Sequence, residues 1–262
     1  MARRQIHGMR AIVTGASGGI GRAIALEIVR QGGRCVVIAR NEHKLCELAD
    51  AAGSTTSGQI EIVAGDVTSP EVRARAIASA IDTWGGLDAL VNNAGIAAFG
   101  RFREGHPDRL REIMEVNFFA VTEMIRESLP ALESGNSPIV VNVGSILGHR
   151  GIPRMNEYCA SKFAVQGFSQ TLRVELDRDG IDLLVVSPGT TKTDFYDHVV
   201  HGRNDAPWST GYRVSAENVA RATVKAMRRG RREIYPNAVG RMLVWLNRLA
   251  PSLVDRLMRR YA

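Results

Sequence analysis

Tyr158 and Lys162 stand four residues apart in Tyr158-Cys-Ala-Ser-Lys162. On a helix that spacing sets a phenol and an ammonium on one face. Ser145 lies 13 residues before Tyr158, in Val143-Gly144-Ser145 at the end of an apolar run. A phenol, a cation and a hydroxyl are what carbonyl reduction asks of a protein. Hydride reaches the carbon, and the oxygen gains charge that must be stabilised and protonated. A free phenol has a pKa of about 10, too weakly acidic to donate and too seldom ionised to accept near neutral pH. A lysine cation beside it favours the phenolate. Tyr158 is therefore expected to give its proton in reduction and take one in oxidation. Ser145 is expected to hydrogen-bond the substrate oxygen. Most Tyr/Lys pairs at this spacing are solvated surface, so the pair gains meaning only from its surroundings.

The first such surrounding is Thr14-Gly15-Ala-Ser17-Gly18-Gly19-Ile20-Gly21. It falls between a predicted strand and a predicted helix. Glycines there permit a tight turn and close approach of the backbone to a pyrophosphate at the helix N-terminus. Gly15, Ser17, Gly19, Ile20 and Gly21 are the expected contacts. The end of the second strand selects between nicotinamide cofactors. An acid there would accept from a ribose 2′-hydroxyl and repel a 2′-phosphate. The sequence reads Ala39-Arg40-Asn41 instead. Arg40 can form a charge-assisted bond to phosphate, so NADP(H) is expected over NAD(H). The alternative is an Arg40 that faces solvent or stacks on the adenine.

The elements that must hold these residues alternate along the chain. Strands are predicted over 10–14, 34–39, 59–64, 87–92, 138–143 and 181–187, each a β-branched, apolar run. Helices are predicted between them, over 20–31, 42–52, 70–84, 107–133, 153–179 and 215–229. A short seventh strand covers 233–235, and two helical pieces split by Pro251 close the chain. Pro70 follows Ser69 and Thr68, either of which can cap. Such alternation predicts an α/β fold, a Rossmann-type doubly wound parallel sheet of about seven strands with helices on both faces. Residues 1–237 read as the dinucleotide-binding and catalytic domain, and 238–262 as a helical extension of it.

Gly-x-x-x-Gly-x-Gly at this place, together with Ser145, Tyr158 and Lys162, resembles the short-chain dehydrogenase/reductase family in its classical form. The resemblance covers about residues 9–229 and carries further motifs. Asn92-Asn93-Ala94-Gly95 ends the fourth strand, Gly65-Asp66-Val67 follows the third, and Pro188-Gly189-Thr190-Thr191-Lys192-Thr193 follows the sixth. It implies that Asn93, Ala94 and Gly95 steady the sheet and flank the cofactor. Asp66, with Val67, would contact the adenine. Pro188, Gly189, Thr191 and Thr193 would border the nicotinamide. Asn117 would complete an Asn, Ser, Tyr, Lys tetrad by holding a water in a relay with Lys162, which also binds the nicotinamide ribose. No metal is required. The family implies a homo-oligomer, dimer or tetramer. The tail departs from it, because helices follow the short Glu233-Ile-Tyr235-Pro236 where many relatives end.

Around Tyr158, Ile96 to Phe99, Ile146, Leu147 and Met155 are expected to line a substrate pocket, which hints at an apolar or lipid-like substrate. His149 and Arg150 lie on the loop from Ser145 to Tyr158 and could touch a polar group. Cys159 points away from Tyr158 and reads as packing. Residues 195–212 are the expected lid. The reading is thus an oxidoreductase interconverting a carbonyl and a secondary alcohol. A dehydrogenase of small hydroxy acids or polyols, gripped by Arg150 or Arg154, is the alternative within enzymes. A non-catalytic NADP-binding regulator is the alternative outside them, and the joint presence of Tyr158 and Lys162 argues against it.

Charge divides the chain. The 262 residues carry 34 Lys+Arg and 27 Asp+Glu, net +7. Eleven of the basic residues and only two acids, Glu233 and Asp255, lie from Arg221 onward. The tail is therefore net +9 and the remainder net −2. Apolar residues make up 45%, which excludes a disordered chain. Three cysteines without zinc-ligand spacing predict reduced thiols and a cytoplasmic protein. In the tail, Met242, Trp245, Leu246 and Leu249 share one helical face and Arg241 and Arg248 another. Ser252 is a candidate cap for the last helix, with Leu253, Val254, Leu257 and Met258 apolar and Arg256, Arg259 and Arg260 basic. Packing on the body or a second subunit, and peripheral contact with an anionic membrane, are the readings of that pattern. Nucleic acid is not, because the arginines have no interleaved aromatics.

Overall fold

The computed structural model describes residues 4–53, 59–196, 199–200 and 213–259. Its centre is a seven-stranded sheet built from β1 (Arg10–Thr14), β2 (Arg34–Ala39), β3 (Ile60–Ala64), β4 (Ala89–Asn92), β5 (Ile139–Val143), β6 (Asp182–Val186) and β9 (Glu233–Ile234). The order is β3-β2-β1-β4-β5-β6-β9, and every pairing is parallel. Alternate residues of one strand feed opposite cores. Ala11 and Val13 pack on one face with α1 (Gly19–Arg30), α2 (Glu42–Gly53) and α7 (Ala216–Arg228), through Ile24, Ile28, Leu45, Val219 and Val224. Ile12 packs on the other with α3 (Pro70–Trp84), α5 (Ala120–Glu133) and α6 (Asn156–Arg178), through Ala76, Met124, Ile125 and Leu176. The fold class expected from the sequence is the one found.

Local chemistry sets several boundaries. Ser69, not Thr68, caps α3: its Oγ accepts from the Val72 N–H at 3.3 Å, with Pro70 in the first turn. The helix stops at Gly85, whose φ of +75° lies in the left-handed region. Ser215 caps α7 through the Asn218 N–H.

Four expectations are corrected. The predicted helix over 107–133 is α4 (Arg109–Met114), one π-helical turn (Glu115–Phe119) and α5. The predicted helix from Pro153 begins at Asn156, because Arg154 takes a φ of +68°. A second sheet of two residues per strand, β7 (Thr191–Lys192) with β8 (Val214–Ser215), was not foreseen. The last helix, α9 (Pro251–Met258), is preceded by Ala250 at its cap position rather than Ser252. Proline is well suited to a first helical position, and that moves the start one residue earlier.

α8 (Ala238–Leu249) lies against the 3-10 turn Ile146–Gly148. A Cβ on Gly240 would come within 2.8 Å of Ile146 Cγ2. Asn237 caps α8 by accepting from the N–H groups of Val239 and Gly240. Arg150 fastens both last helices, donating to Asn247 Oδ1 at 3.1 Å and to Asp255 Oδ1 at 2.7 Å. Arg260 lies outside the described residues.

Candidate active site

In a parallel sheet the loops that can meet are those leaving the C-terminal strand ends, and the crevice opens where the order reverses. Here the reversal is at β1, which pairs β2 on one side and β4 on the other. Gly15 follows β1, Arg40 follows β2, Asp66 follows β3, Asn93 follows β4, Ser145 follows β5 and Pro188 follows β6. These loops enclose one cleft of about 1100 Å³. Its wall contains Gly15, Ser17, Gly19, Ile20, Arg40, Asp66, Val67, Asn93, Ala94 and Gly95, and also Ser145, Tyr158, Lys162, Pro188, Gly189, Thr191 and Thr193. Of the predicted site residues, Gly21 and Asn117 stand behind that wall.

The glycines are needed for close approach. Gly15 has φ +66°, and a Cβ there would sit 2.8 Å from Ala94 Cα. A Cβ on Gly21 would sit 2.3 Å from Asn93 Nδ2 and 2.4 Å from the Gly15 carbonyl oxygen. Asn93 Nδ2 donates to the carbonyls of Thr14 and Gly15, both at 3.0 Å. Thr14 Oγ1 in turn accepts from the N–H groups of Asn93 and Ala94, both at 3.0 Å. Four bonds thus lock the β1 loop to the β4 loop. By sequence Thr14 is only a strand end. A hydroxyl closing a buried strand just before a glycine loop was the available signal. At Gly18, which precedes α1, no side chain caps the helix. The first N–H groups of α1 are left for an anion in the cleft.

Lys44 also lines the cleft beside Arg40 and Asn41. Asn41 Oδ1 accepts from the Lys44 N–H at 3.0 Å, which starts α2 at the end of β2. Lys44 lies four residues beyond Arg40, so two exposed cations face this part of the cleft. The strand end and the glycine loop do not disclose Lys44, which lies in the first turn of α2. Glu112 and Glu115 add carboxylates to the wall.

At the other chemical centre, α6 carries Tyr158 and Lys162, both buried. Lys162 Nζ donates to the Val143 carbonyl at 3.0 Å and lies 5.7 Å from the centroid of the Tyr158 ring. Burial pushes the Lys162 pKa down to about 8. Ser145 caps the Ile146–Gly148 turn, its Oγ accepting from the Leu147 N–H at 3.1 Å. That leaves its O–H able to donate. The turn is seated on α6, since a Cβ on Gly148 would come within 2.6 Å of the Lys162 carbonyl oxygen. Ser145, Tyr158 and Lys162 are therefore fixed relative to one another through Gly148.

Asn117 sits in the π-helical turn and is fully buried. Its Oδ1 accepts from the Ile96 N–H at 2.8 Å, and its Nδ2 donates to the Ile96 carbonyl and to Ser161 Oγ, both at 2.9 Å. Its own bonds tie the β4 loop to α6. Gly95 fills the gap to the lysine: a Cβ there would lie 3.2 Å from Asn117 Oδ1 and 3.7 Å from Lys162 Nζ. The first turn of α6 is held by Glu157, whose Oε1 accepts from both Nε and Nη2 of Arg109 on α4.

Several expected pocket residues are packed elsewhere. Phe99, Leu147 and Met155 are buried with Tyr158 and Cys159 in a satellite core. Of the predicted apolar set only Ile96 faces the cleft, joined there by Val116, Phe195 and Val200. His149 is turned toward the sheet edge, its Nε2 3.1 Å from Ser187 Oγ and 3.1 Å from Glu233 Oε1. Burial opposes the Glu233 charge, but bonds from His149 and Gln166 outweigh it and hold that carboxyl below its usual range. Arg150 is engaged by Asn247 and Asp255, and Arg154 lies over the Phe99 ring at 4.6 Å. None of His149, Arg150 and Arg154 lines the cleft. Cys159 is buried and its thiol pushed up by that burial, as a packing residue requires. Of the expected lid, Phe195 packs 5.7 Å from the Tyr158 ring, and residues 201–212 lie outside the described residues.

A family profile described as short chain dehydrogenase matches residues 9–204. The chain is 32% identical over 264 residues to 11-beta-hydroxysteroid dehydrogenase A of Sesamum indicum, a match covering 97% of this chain and 75% of that protein. A short chain dehydrogenase from Burkholderia cenocepacia J2315, solved in complex with NADP, superposes with a TM-score of 0.82 at 27% identity, over 97% of this chain and 99% of the other. A short chain dehydrogenase/reductase from Burkholderia phymatum, solved in complex with NAD, shares the fold with a TM-score of 0.86 at 24% identity, over 95% and 96% of the two chains. By profile, by sequence and by fold, the chain belongs to the short-chain dehydrogenase/reductase family of oxidoreductases.

Proposed function

We propose that this protein is an NADP(H)-dependent oxidoreductase that interconverts a ketone or aldehyde and a secondary alcohol, with Tyr158 as general acid and base. One observation carries the reading. A buried ammonium, a buried phenol and a serine hydroxyl are held together in the wall of a cleft that also carries a glycine cradle and two cations. A nicotinamide dinucleotide fits those residues. The uncapped start of α1 and the side-chain-free Gly15, Gly18 and Gly19 suit its pyrophosphate, and Lys162 suits its ribose. Bound, the cofactor supplies or accepts hydride.

The protein's own part is protonic and electrostatic. Ser145 donates to the substrate oxygen and stabilises charge that grows there. Tyr158 delivers a proton to that oxygen in reduction and removes it in oxidation. The Lys162 ammonium is the positive charge against which a phenolate is held. Asn117 positions α6 through Ser161 and the β4 loop through Ile96. The fit to NADP(H) rests on Arg40 together with Lys44, which outnumber the one acid, Glu42, that lines the cleft between them. Both solved relatives described above carry a nicotinamide dinucleotide, NADP in one and NAD in the other.

A neutral, largely apolar substrate is the better match to the cleft. Ile96, Val116, Phe195 and Val200 line it, and its basic lining residues are Arg40, Lys44 and Lys162 alone among the described ones. A hydroxy acid would lack the arginine grip that Arg150 or Arg154 was to provide. The steroid in the name of the Sesamum indicum relative agrees with an apolar substrate. We read the protein as a homo-oligomer, dimer or tetramer, of the cytoplasm or the membrane surface, with residues 238–262 an extension of its single domain.

The test is Tyr158→Phe, assayed with a panel of apolar ketones and NADPH. Turnover falls by a factor of 10² or more, the usual contribution of a positioned acid–base group. NADPH binding, followed by fluorescence, stays within a few-fold. Near-wild-type turnover of Tyr158→Phe would sink the mechanism.

A further inference from the structure

Six exposed large apolar side chains fall on the last two helices: Val239, Met242, Trp245, Leu249, Leu253 and Leu257. They are not the face by which those helices pack. α8 turns Gly240 and Val244 inward, and α9 turns Val254 inward. At 3.6 residues per turn, Val239, Met242, Trp245 and Leu249 form a second stripe on the far side of α8. Met242 is 65% exposed and Leu249 79%. Leu253 and Leu257, one turn apart, add two exposed apolar side chains on α9.

The charges beside the stripe are of one sign. Arg241, Arg248, Arg256 and Arg259 are exposed. Asp255 is the only acid between residues 238 and 259, and its carboxylate is paired with Arg150 at 2.7 Å. Arg248 lies 5.7 Å over the Trp245 ring, so cation and aromatic flank the same edge. We propose that the α8–α9 pair docks on an anionic lipid bilayer, lying flat with its apolar stripe in the headgroup boundary and its arginines against lipid phosphates. Such an amphipathic pair with a basic rim has the composition of an interfacial anchor. No described helix is long and apolar enough to cross a membrane, and the contact is therefore peripheral. A second copy of the chain would bring the same arginines against one another, which disfavours self-association through this face. The proposal stands on this surface alone and is independent of the substrate.

The test is co-sedimentation of the full chain with vesicles of phosphatidylcholine, with and without phosphatidylserine. Binding is expected to the anionic vesicles, weakening as salt is raised, with a blue shift in the fluorescence of Trp245 that Trp245→Phe removes. Arg241→Glu and Arg248→Glu each weaken binding about fivefold or more. Leu249→Glu and Trp245→Glu abolish it while the thermal melt stays in place. Absence of binding to anionic vesicles overturns the proposal. Binding that Leu249→Glu leaves intact also overturns it. So does a lipid-free oligomer that Leu249→Glu dissociates, which would assign the face to a second copy.

Discussion

Arg109→Met tests how the first turn of α6 is held in place. Arg109 and Glu157 are both nearly inaccessible, at 3% and 4% exposure, and Glu157 immediately precedes Tyr158. The arginine directs Nε and Nη2 to a single carboxylate oxygen, Oε1, and leaves the buried Oε2 without a hydrogen-bond partner. Removing the guanidinium strands the carboxylate in the interior. Breaking one side of a buried pair costs about 3–5 kcal/mol. At roughly 2–4 °C per kcal/mol for a domain of this size, the melting temperature should fall by about 6–20 °C.

The unpartnered Oε2 makes the second half of the cycle sharper. A pair that leaves one lone-pair set unsatisfied repays its desolvation poorly, so an apolar replacement of both members costs little. Arg109→Met/Glu157→Leu should therefore recover most of the loss and melt within about 4 °C of the wild type. Turnover should recover with it, since Tyr158 needs the turn in place rather than the charge. Thermal melts of all four proteins, followed by kcat and KM, give the coupling energy directly. The reasoning is refuted if Arg109→Met melts within about 2 °C of wild type, or if the double variant is no more stable than the worse single one.

Two further outcomes follow from other cations of the site. Burial lowers the Lys162 pKa from 10.5 to about 8, a cost to folding of about 3 kcal/mol below pH 8. The unfolded chain holds that proton up to its higher pKa, so the cost fades as pH rises from 8 to 10.5. Lys162→Met should abolish turnover yet melt higher than wild type at pH 7, with the gain shrinking above pH 8; equal melting at every pH would refute it. At the end of β2, Arg40→Ala and Lys44→Ala should each lower kcat/KM for NADPH relative to NADH by about tenfold, the lower range of a charge-assisted bond for exposed groups. An unchanged cofactor ratio would show that neither cation meets a phosphate.

The layers of the fold were legible because their signals are local. Val36-Val37-Ile38 can hardly be other than a buried strand, and Ser69-Pro70 announces a helix start in two residues. The loops that bear the site follow directly, since each leaves the C-terminal end of such a strand. What escaped the sequence is defined by distant partners. Thr191–Lys192 has no strand pattern and becomes β7 only by pairing with Val214–Ser215. The π-helical turn around Asn117 adds one residue to a helix whose apolar period barely changes. His149 and Arg150 sit on the expected substrate loop, yet Glu233, Asn247 and Asp255, all more than 80 residues away in sequence, draw them out of the cleft. Phe99 and Met155 leave the pocket for the same reason, because a satellite core beneath the loops competes with it for apolar side chains.

Net charge describes neither of the ways this chain uses positive charge. The tail holds a net +9, and its described arginines are exposed, so that on the reading proposed above they act across a surface, weakly and under the control of salt. Lys162 is one charge in a body of net −2, and it acts at close quarters because water has been removed from it. The same desolvation that gives the lysine its influence on Tyr158 is visible as its depressed pKa, a cost the tail arginines never incur. A cation that must act on a particular bond has to be buried, accept that cost and be held by neighbours such as Val143 and Gly148. A cation that must meet a broad anionic surface has to stay exposed, and number then replaces placement. The division of charge along the chain is the division between those two tasks.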